Sequence, residues 1–226
     1  MILAAGRGER MRPLTDTTPK PLLKAGGKPL IVWHIENLVH AGYEEIVINH
    51  AHLGWMIESA LGDGARFGAR LTYSPEMEAL ETAGGIANAL HLFGHAPFVV
   101  VNGDIWCEYD FAWLRSVAGS LEAQERLAHI VLAPNPPHHA AGDFALEGDT
   151  VTAANDHKLT FTGIGVYSPE MFFDIPRGNK AALAPLLRAA IAKEQLGGER
   201  HAGRWFDIGT PARLAEIDAQ LGGKNQ

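Results

Sequence analysis

The sequence predicts an α/β fold, a mostly parallel mixed sheet flanked by helices on both faces. Three observations carry this. As far as Asp104, short apolar runs alternate with runs of helical spacing. The clearest of the short runs is rich in β-branched residues, Val99-Val100-Val101, and ends in Gly103-Asp104. Three glycine-rich or polar stretches fall just after predicted strands. In sheets of this class, ligands gather at those strand ends.

The elements follow in order. Met1 to Ala5 reads as a buried strand, followed by a loop reaching Pro21. Leu30, Val32, Trp33, Ile35, Leu38 and Val39 recur at helical spacing, and Gly42 supplies a left-handed stop. "EEIVINH" is a second strand, "HLGWMIESALG" a helix, "ARLTYSPE" a third strand and "TAGGIANALHLFG" a helix opening on glycines. "PFVVVNGD" is the fourth strand. Beyond it, "LAHIVLA" and "LTFTGIGVYSPEMF" read as strands, with a loop and hairpin between them. "ALAPLLRAAIAKEQ" has strong helix propensity, and "RWFDIGTPARLAEIDAQL" gives a strand end, a turn and a last helix. No linker, repeat or low-complexity segment interrupts the chain. A single domain over 1–226 is expected, with a nucleotide-binding half (1–110) and a sugar-binding half (111–226).

Bulk properties narrow the partners. The 226 residues suffice for one substantial core, and 46% are hydrophobic. A formal net charge of −7 argues against a nucleic-acid binder, which needs a basic face. No stretch approaches the roughly 18 apolar residues of a membrane helix, so no membrane partner is expected. The N-terminus lacks a basic region followed by a long apolar run, so no signal peptide is expected either. The single cysteine, Cys107, allows no internal disulfide, which agrees with a cytoplasmic location.

Positive charge is concentrated in one place. Gly6-Arg7-Gly8-Glu9-Arg10 is followed by Arg12 and by Lys20 between two prolines. The loop is no Walker sequence, and Met11 breaks G-x-G-x-x-G, which disfavours a dinucleotide site. Its backbone N–H groups can still cradle phosphate, with Arg10 and Lys20 adding charge. Arg7 and Arg12 fit the surface or a supporting shell. Asp104 could also be a helix N-cap and Asp207 a turn cap. His50/His52 and His138/His139 lack companion ligands at zinc spacing. Cys107 reads as a buried apolar residue, because nothing near it in sequence would activate it, and Trp205 reads as core.

The stretch "LAAGRGERMRPLT" followed by "PKPLL" resembles the signature of the sugar-1-phosphate nucleotidyltransferases, G-x-G-x-R-[ML]-x-P-x-T, a spacer, then K-P. Leu80 to Gly85, Asn102-Gly103-Asp104, Gly163 and Trp205 to Thr210 fall in the family's order. The resemblance implies a Rossmann-like sheet with a small sugar-binding subdomain, of the nucleotide-diphospho-sugar transferase type. It also implies a reaction between a nucleoside triphosphate and a sugar 1-phosphate. The nucleotide would meet Leu3, Ala4, Ala5, Gly6, Gly8, Glu9, Arg10, Lys20, Gly85, Asn102 and Gly103, and its base would face Glu76, Glu81 and Thr82. Arg10 and Lys20 are the implied catalytic cations, and Asp104 and Asp207 the implied Mg²⁺ ligands.

The sugar side departs from the family. Where a V-E-K-P-like segment is expected, this chain has "TAANDHKLTFTG". Asn155, Asp156 and Lys158 are the candidates to replace that segment, and Gly142, Asp143 and Gly163 are further candidate sugar contacts. The departure implies an unusual sugar. "INHAHLG" (48–54) resembles a UTP-using subgroup of the family that serves cell-wall recycling. The expected partners are therefore UTP and a sugar 1-phosphate, for a monomer or weak homodimer. Glucose or mannose 1-phosphate with another nucleotide is an alternative. So is a non-catalytic, nucleotide-sensing module.

Overall fold

The computed structural model describes residues 1–154 and 156–222. In chain order it contains β1 (Ile2–Leu3), α1 (Leu14–Thr17), β2 (Lys24–Ala25), β3 (Lys28–Pro29), α2 (Leu30–His40), β4 (Glu45–His50), α3 (Gly54–Leu61), β5 (Arg70–Pro75), α4 (Glu81–Ala89), β6 (Phe98–Asn102) and β7 (Ile105–Cys107). It continues with α5 (Trp113–Ser120), β8 (Ala128–Ala133), β9 (Ala145–Glu147), β10 (Thr150–Thr152), β11 (Thr160–Tyr167), α6 (Leu183–Ala192), β12 (Leu196–Arg200), β13 (Trp205–Asp207) and α7 (Pro211–Gly222). Nine strands form one sheet in the order β5-β4-β1-β6-β11-β8-β12-β10-β9. β5, β4, β1 and β6 are parallel, and β11 runs antiparallel to both β6 and β8.

The alternation of the apolar strands builds a core on each face. Val99 and Val101 face Ile31 and Ile35 of α2, Ile57 of α3 and Leu114 of α5. Val100 faces the other way, toward Ile86 of α4 and Leu187 of α6. Each fully buried aliphatic side chain contributes about 1.5–3 kcal/mol relative to exposure. A third cluster seats α7 against the N-terminal half through Ala25, Trp106, Ile208, Ile217 and Leu221. The Gly26 N–H also donates to Asp218 Oδ1 on α7 at 2.8 Å. One sheet thus runs through both halves of the sequence, and the last helix returns to the first.

Two glycines shape the strand ends that matter. A Cβ on Gly103 would lie 2.8 Å from the Leu3 carbonyl oxygen, so only glycine lets the chain leaving β6 pass β1 this closely. Gly163 has φ +81°, and the β11–β8 register shifts between Phe161 and Gly165. The resulting bulge leaves room for Asn102. Elements with little sequence signal are β7, α5 and β12, as well as the β2–β3 hairpin. β12 is "LGGER", in which two glycines mask the strand pattern.

Candidate active site

The site begins with a brace under the strand ends. Ala4, just past β1, donates its N–H to Asn49 Oδ1 on β4 at 2.9 Å. Asn49 Nδ2 donates to Glu76 Oε1 at 2.7 Å, and the Leu80 N–H donates to Glu76 Oε2 at 2.9 Å. Three connections are thereby tied together before any ligand arrives. Burial pushes the Glu76 carboxyl above its usual range, against the lowering effect of those two hydrogen bonds and the nearby His50. Gly85 lets α4 close onto this brace, because a Cβ there would sit 2.7 Å from Asn49 Nδ2.

The cationic loop folds as a turn, a 3₁₀ segment and α1. Gly8 is left-handed at φ +69°, and its carbonyl accepts from Thr15 Oγ1 at 2.8 Å. Arg7 donates to the Thr15 carbonyl at 2.9 Å, and Arg12 pairs with Glu9 and Asp16 at 3.2 Å each. These two arginines therefore fasten the loop to itself. Lys20 turns inward, is 7% exposed, and places Nζ 2.6 Å from Asp104 Oδ2. Arg10 borders the same region and has no ion-pair partner among the described residues.

Asp104 and Asp207 are brought together although 103 positions separate them. β13 pairs with β7 so that Asp207 lies opposite Ile105, and the Ile208 N–H donates to the Asp104 carbonyl at 3.2 Å. Asp207 Oδ2 accepts from Arg213 Nη1 at 2.6 Å and lies 3.4 Å from His138 Nε2.

Three cavities meet here, and Asn102 borders all three. The first, of about 180 Å³, lies between Leu3 to Gly6, Lys20, Glu81, Thr82 and Asp104. The second, of about 530 Å³, shares Glu81 and Thr82 and continues to Asp143, Phe161 and Arg188. The third, of about 260 Å³, contains Arg10, Asp104, Thr160, His138 and Asp207.

Glu76 was expected at the base, but both of its oxygens are engaged inside the brace. Glu9 is exposed and pairs with Arg7 and Arg12. Gly8, Gly85, Gly103 and Gly163 act through backbone shape and close approach. Gly142, at φ +62°, turns the chain beside Asn135. Asp143 borders the second cavity, accepts the Phe161 N–H at 2.8 Å and pairs with His139 at 3.0 Å. Asn155 lies outside the described residues. His50 donates to Glu58 at 2.7 Å and His52 to the Thr15 carbonyl at 3.0 Å, so both are structural. Burial pushes the Cys107 thiol up to about 12, which makes it inert at neutral pH. Trp205 is half-buried, and its indole donates to the Thr162 carbonyl at 3.0 Å.

Two residues at the site escaped the sequence reading. Asn49 could have been noticed as the polar residue ending the apolar run Ile46-Val47-Ile48. Arg213 carries no signal, since an arginine in the first turn of a surface helix is ordinary.

A model of the nucleotidyl transferase family matches residues 1–223. The chain belongs to this family. It is 54% identical to the N-acetylmuramate alpha-1-phosphate uridylyltransferase of Neisseria meningitidis serogroup B, over 98% of this chain and 97% of that protein. It is 33% identical to the enzyme of the same name from Caulobacter vibrioides, over 98% and 96%. The fold matches a Bacillus anthracis structure provisionally named as a glucose-1-phosphate thymidylyltransferase. That match has a TM-score of 0.84 at 23% identity and covers 100% of this chain and 95% of the other.

Nucleotidyl transferases generally depend on a divalent metal, and the donor set of this one fits such an ion. Asp104 and Asp207 present hard oxygen ligands to one cavity. Among the described residues, no group of three or more His, Cys, Asp and Glu side chains could enclose a metal. Two carboxylates suit an ion that completes its shell with waters and substrate phosphates, as Mg²⁺ does.

Proposed function

We propose that this nucleotidyl transferase joins UTP to N-acetylmuramic acid 1-phosphate, giving UDP-N-acetylmuramic acid and pyrophosphate in cell-wall recycling. The observation that carries the reading is that Lys20 and Asp104, 2.6 Å apart, line the first cavity, which shares Glu81, Thr82 and Asn102 with the second. The 54% identity to the Neisseria enzyme over nearly the full length supports the choice of base and sugar.

A phosphate oxygen of the sugar 1-phosphate attacks the α-phosphorus of UTP. The bond from that phosphorus to the β-phosphate bridging oxygen breaks, and its electron pair leaves with pyrophosphate. The attacking phosphate is already ionised, so no general base is required. Lys20 and Arg10 place positive charge where the α-phosphate gains negative charge. Electrostatic stabilisation of this kind is worth most in a preorganised site. Arg10 offers a planar fork to phosphate oxygens, and Lys20 a point charge. The brace from Asn49 to Glu76 keeps the Leu3–Gly6 backbone in place for the nucleotide. Asp104 and Asp207 would hold Mg²⁺, which when bound neutralises phosphate charge and orients the triphosphate. Residues 1–110 supply the nucleotide side and 111–226 the sugar side, with Asp143 at the sugar. The protein works in the cytoplasm as a monomer or weak homodimer.

The test is a pyrophosphate-release panel crossing four nucleoside triphosphates with the 1-phosphates of N-acetylmuramic acid, N-acetylglucosamine, glucose and mannose. The expected preference is UTP with N-acetylmuramic acid 1-phosphate. Equal or faster release with glucose or mannose 1-phosphate overturns the substrate assignment, and no release from any pair overturns the activity.

A further inference from the structure

We infer that Arg213 is a resident counter-ion that holds the proposed metal ligand Asp207 in the free protein and moves to the nucleotide's phosphates when metal and nucleotide arrive together. The inference rests on the reading of the site given above.

Asp207 and Asp104 border one cavity, and each is occupied by a side-chain cation. Lys20 holds Asp104, and Arg213 holds Asp207 at 2.6 Å. The Arg213 contact is partly buried, with side-chain exposures of 18% and 29% for the two partners. His138 completes the arrangement by accepting from Arg213 Nη1 at 2.6 Å, so Arg213 is pinned from two sides. A divalent ion seeking Asp207 must therefore displace a charge-assisted hydrogen bond.

Arg213 already lies beside another cation of the site, Arg10, at Gly209. A Cβ there would lie 2.4 Å from Arg213 Nη2 and 3.1 Å from Arg10 Nη2. Two guanidinium groups thus border one glycine. Arg10 has no ion-pair partner among the described residues, and Arg213's carboxylate partner is the residue a metal would claim. Like charges placed this close repel unless an anion joins them. A triphosphate supplies that anion, and its accompanying metal supplies the replacement charge for Asp207. The arrangement predicts that the free protein binds a divalent ion weakly and that nucleotide and metal enter together. Arg213 thus serves two anions in turn, the Asp207 carboxylate and then the nucleotide's phosphates.

The test uses Mn²⁺ alone as the metal probe, followed by electron paramagnetic resonance on nucleotide-free wild type, Arg213→Gln and Arg213→Lys. Retention of labelled UTP in the presence of Mn²⁺ is measured on the same proteins. Arg213→Gln should tighten Mn²⁺ binding about five- to tenfold, because the competing charge is gone, and weaken UTP retention by a similar factor. Arg213→Lys should lie nearer wild type in both assays. A role confined to fixing the shape of Asp207 would weaken Mn²⁺ binding in Arg213→Gln, so the sign separates the two. Unchanged or weaker Mn²⁺ binding by Arg213→Gln overturns the proposal, and so does undiminished UTP retention. Failure of the wild type itself to retain UTP with Mn²⁺ overturns the underlying reading of the site.

Discussion

Replacing Gly163 by alanine should cost stability and substrate affinity together, and the size of both effects can be worked from the structure. Gly163 sits at φ +81°, where an L-residue pays about 1–2 kcal/mol. The added Cβ would stand 2.5 Å from Asn102 Nδ2, well inside the ~3.5–4 Å of ordinary contact, so the amide must retreat by roughly 1 Å. Overpacking of this kind adds about 1–3 kcal/mol. The sum, about 2–5 kcal/mol, corresponds to a fall in Tm of roughly 5–15 °C for a domain of this size. Asn102 borders all three cavities, so its displacement should also raise KM for both substrates. Differential scanning calorimetry and steady-state pyrophosphate release measure the two effects. A variant that melts within about 2 °C of wild type, or that keeps both KM values, refutes the role given to this bulge.

Lys20→Met should lower kcat about 10²- to 10³-fold while Tm moves little, because the abandoned Asp104 is 41% exposed and water can rehydrate it; near-normal turnover would remove Lys20 from the chemistry. Glu76→Gln removes a carboxyl whose folded pKa is raised above 4.5 by burial. The favourable contribution of such a group is complete below the unfolded value and fades as pH rises through the folded one. Wild type should therefore lose stability relative to Glu76→Gln as pH rises above the ordinary carboxylate range in denaturant titrations, and a pH-independent difference would contradict the burial assigned to Glu76. Cys107, with its thiol pushed up to about 12, should ignore a disulfide reagent in the native protein and react only after unfolding. Rapid native reaction would show that the β7 edge opens.

The parts of the fold that were legible share one property: their signal is local. Val99 to Val101, the Leu30–His40 stripe and the Gly6–Arg10 loop each announce themselves within a few residues. Asp104 and Asp207 were legible as separate strand ends, but only the β13–β7 pairing makes them neighbours. What stayed hidden depends on contacts across the sequence. Glu76 looks like a ligand contact from its place after β5, yet Asn49 and Leu80 draw it inward. The role of Arg213 exists only because α7 folds back beside Asp207 and Arg10. β12 is hidden by its glycines. The strand forms because β8 on one side and β10 on the other supply its hydrogen bonds.

The central claim is that one triphosphate is held between the cationic loop and the two aspartates. The most direct measurement is a crystal structure with UTP and Mg²⁺ in the absence of the sugar phosphate, so that no turnover occurs. The account predicts the triphosphate against the Gly6–Arg10 backbone, Lys20 within hydrogen-bonding reach of a phosphate oxygen, and Asp104 and Asp207 as the residues that hold the metal. A triphosphate bound away from the Leu3–Gly6 rim, or an ion that touches neither aspartate, would contradict it.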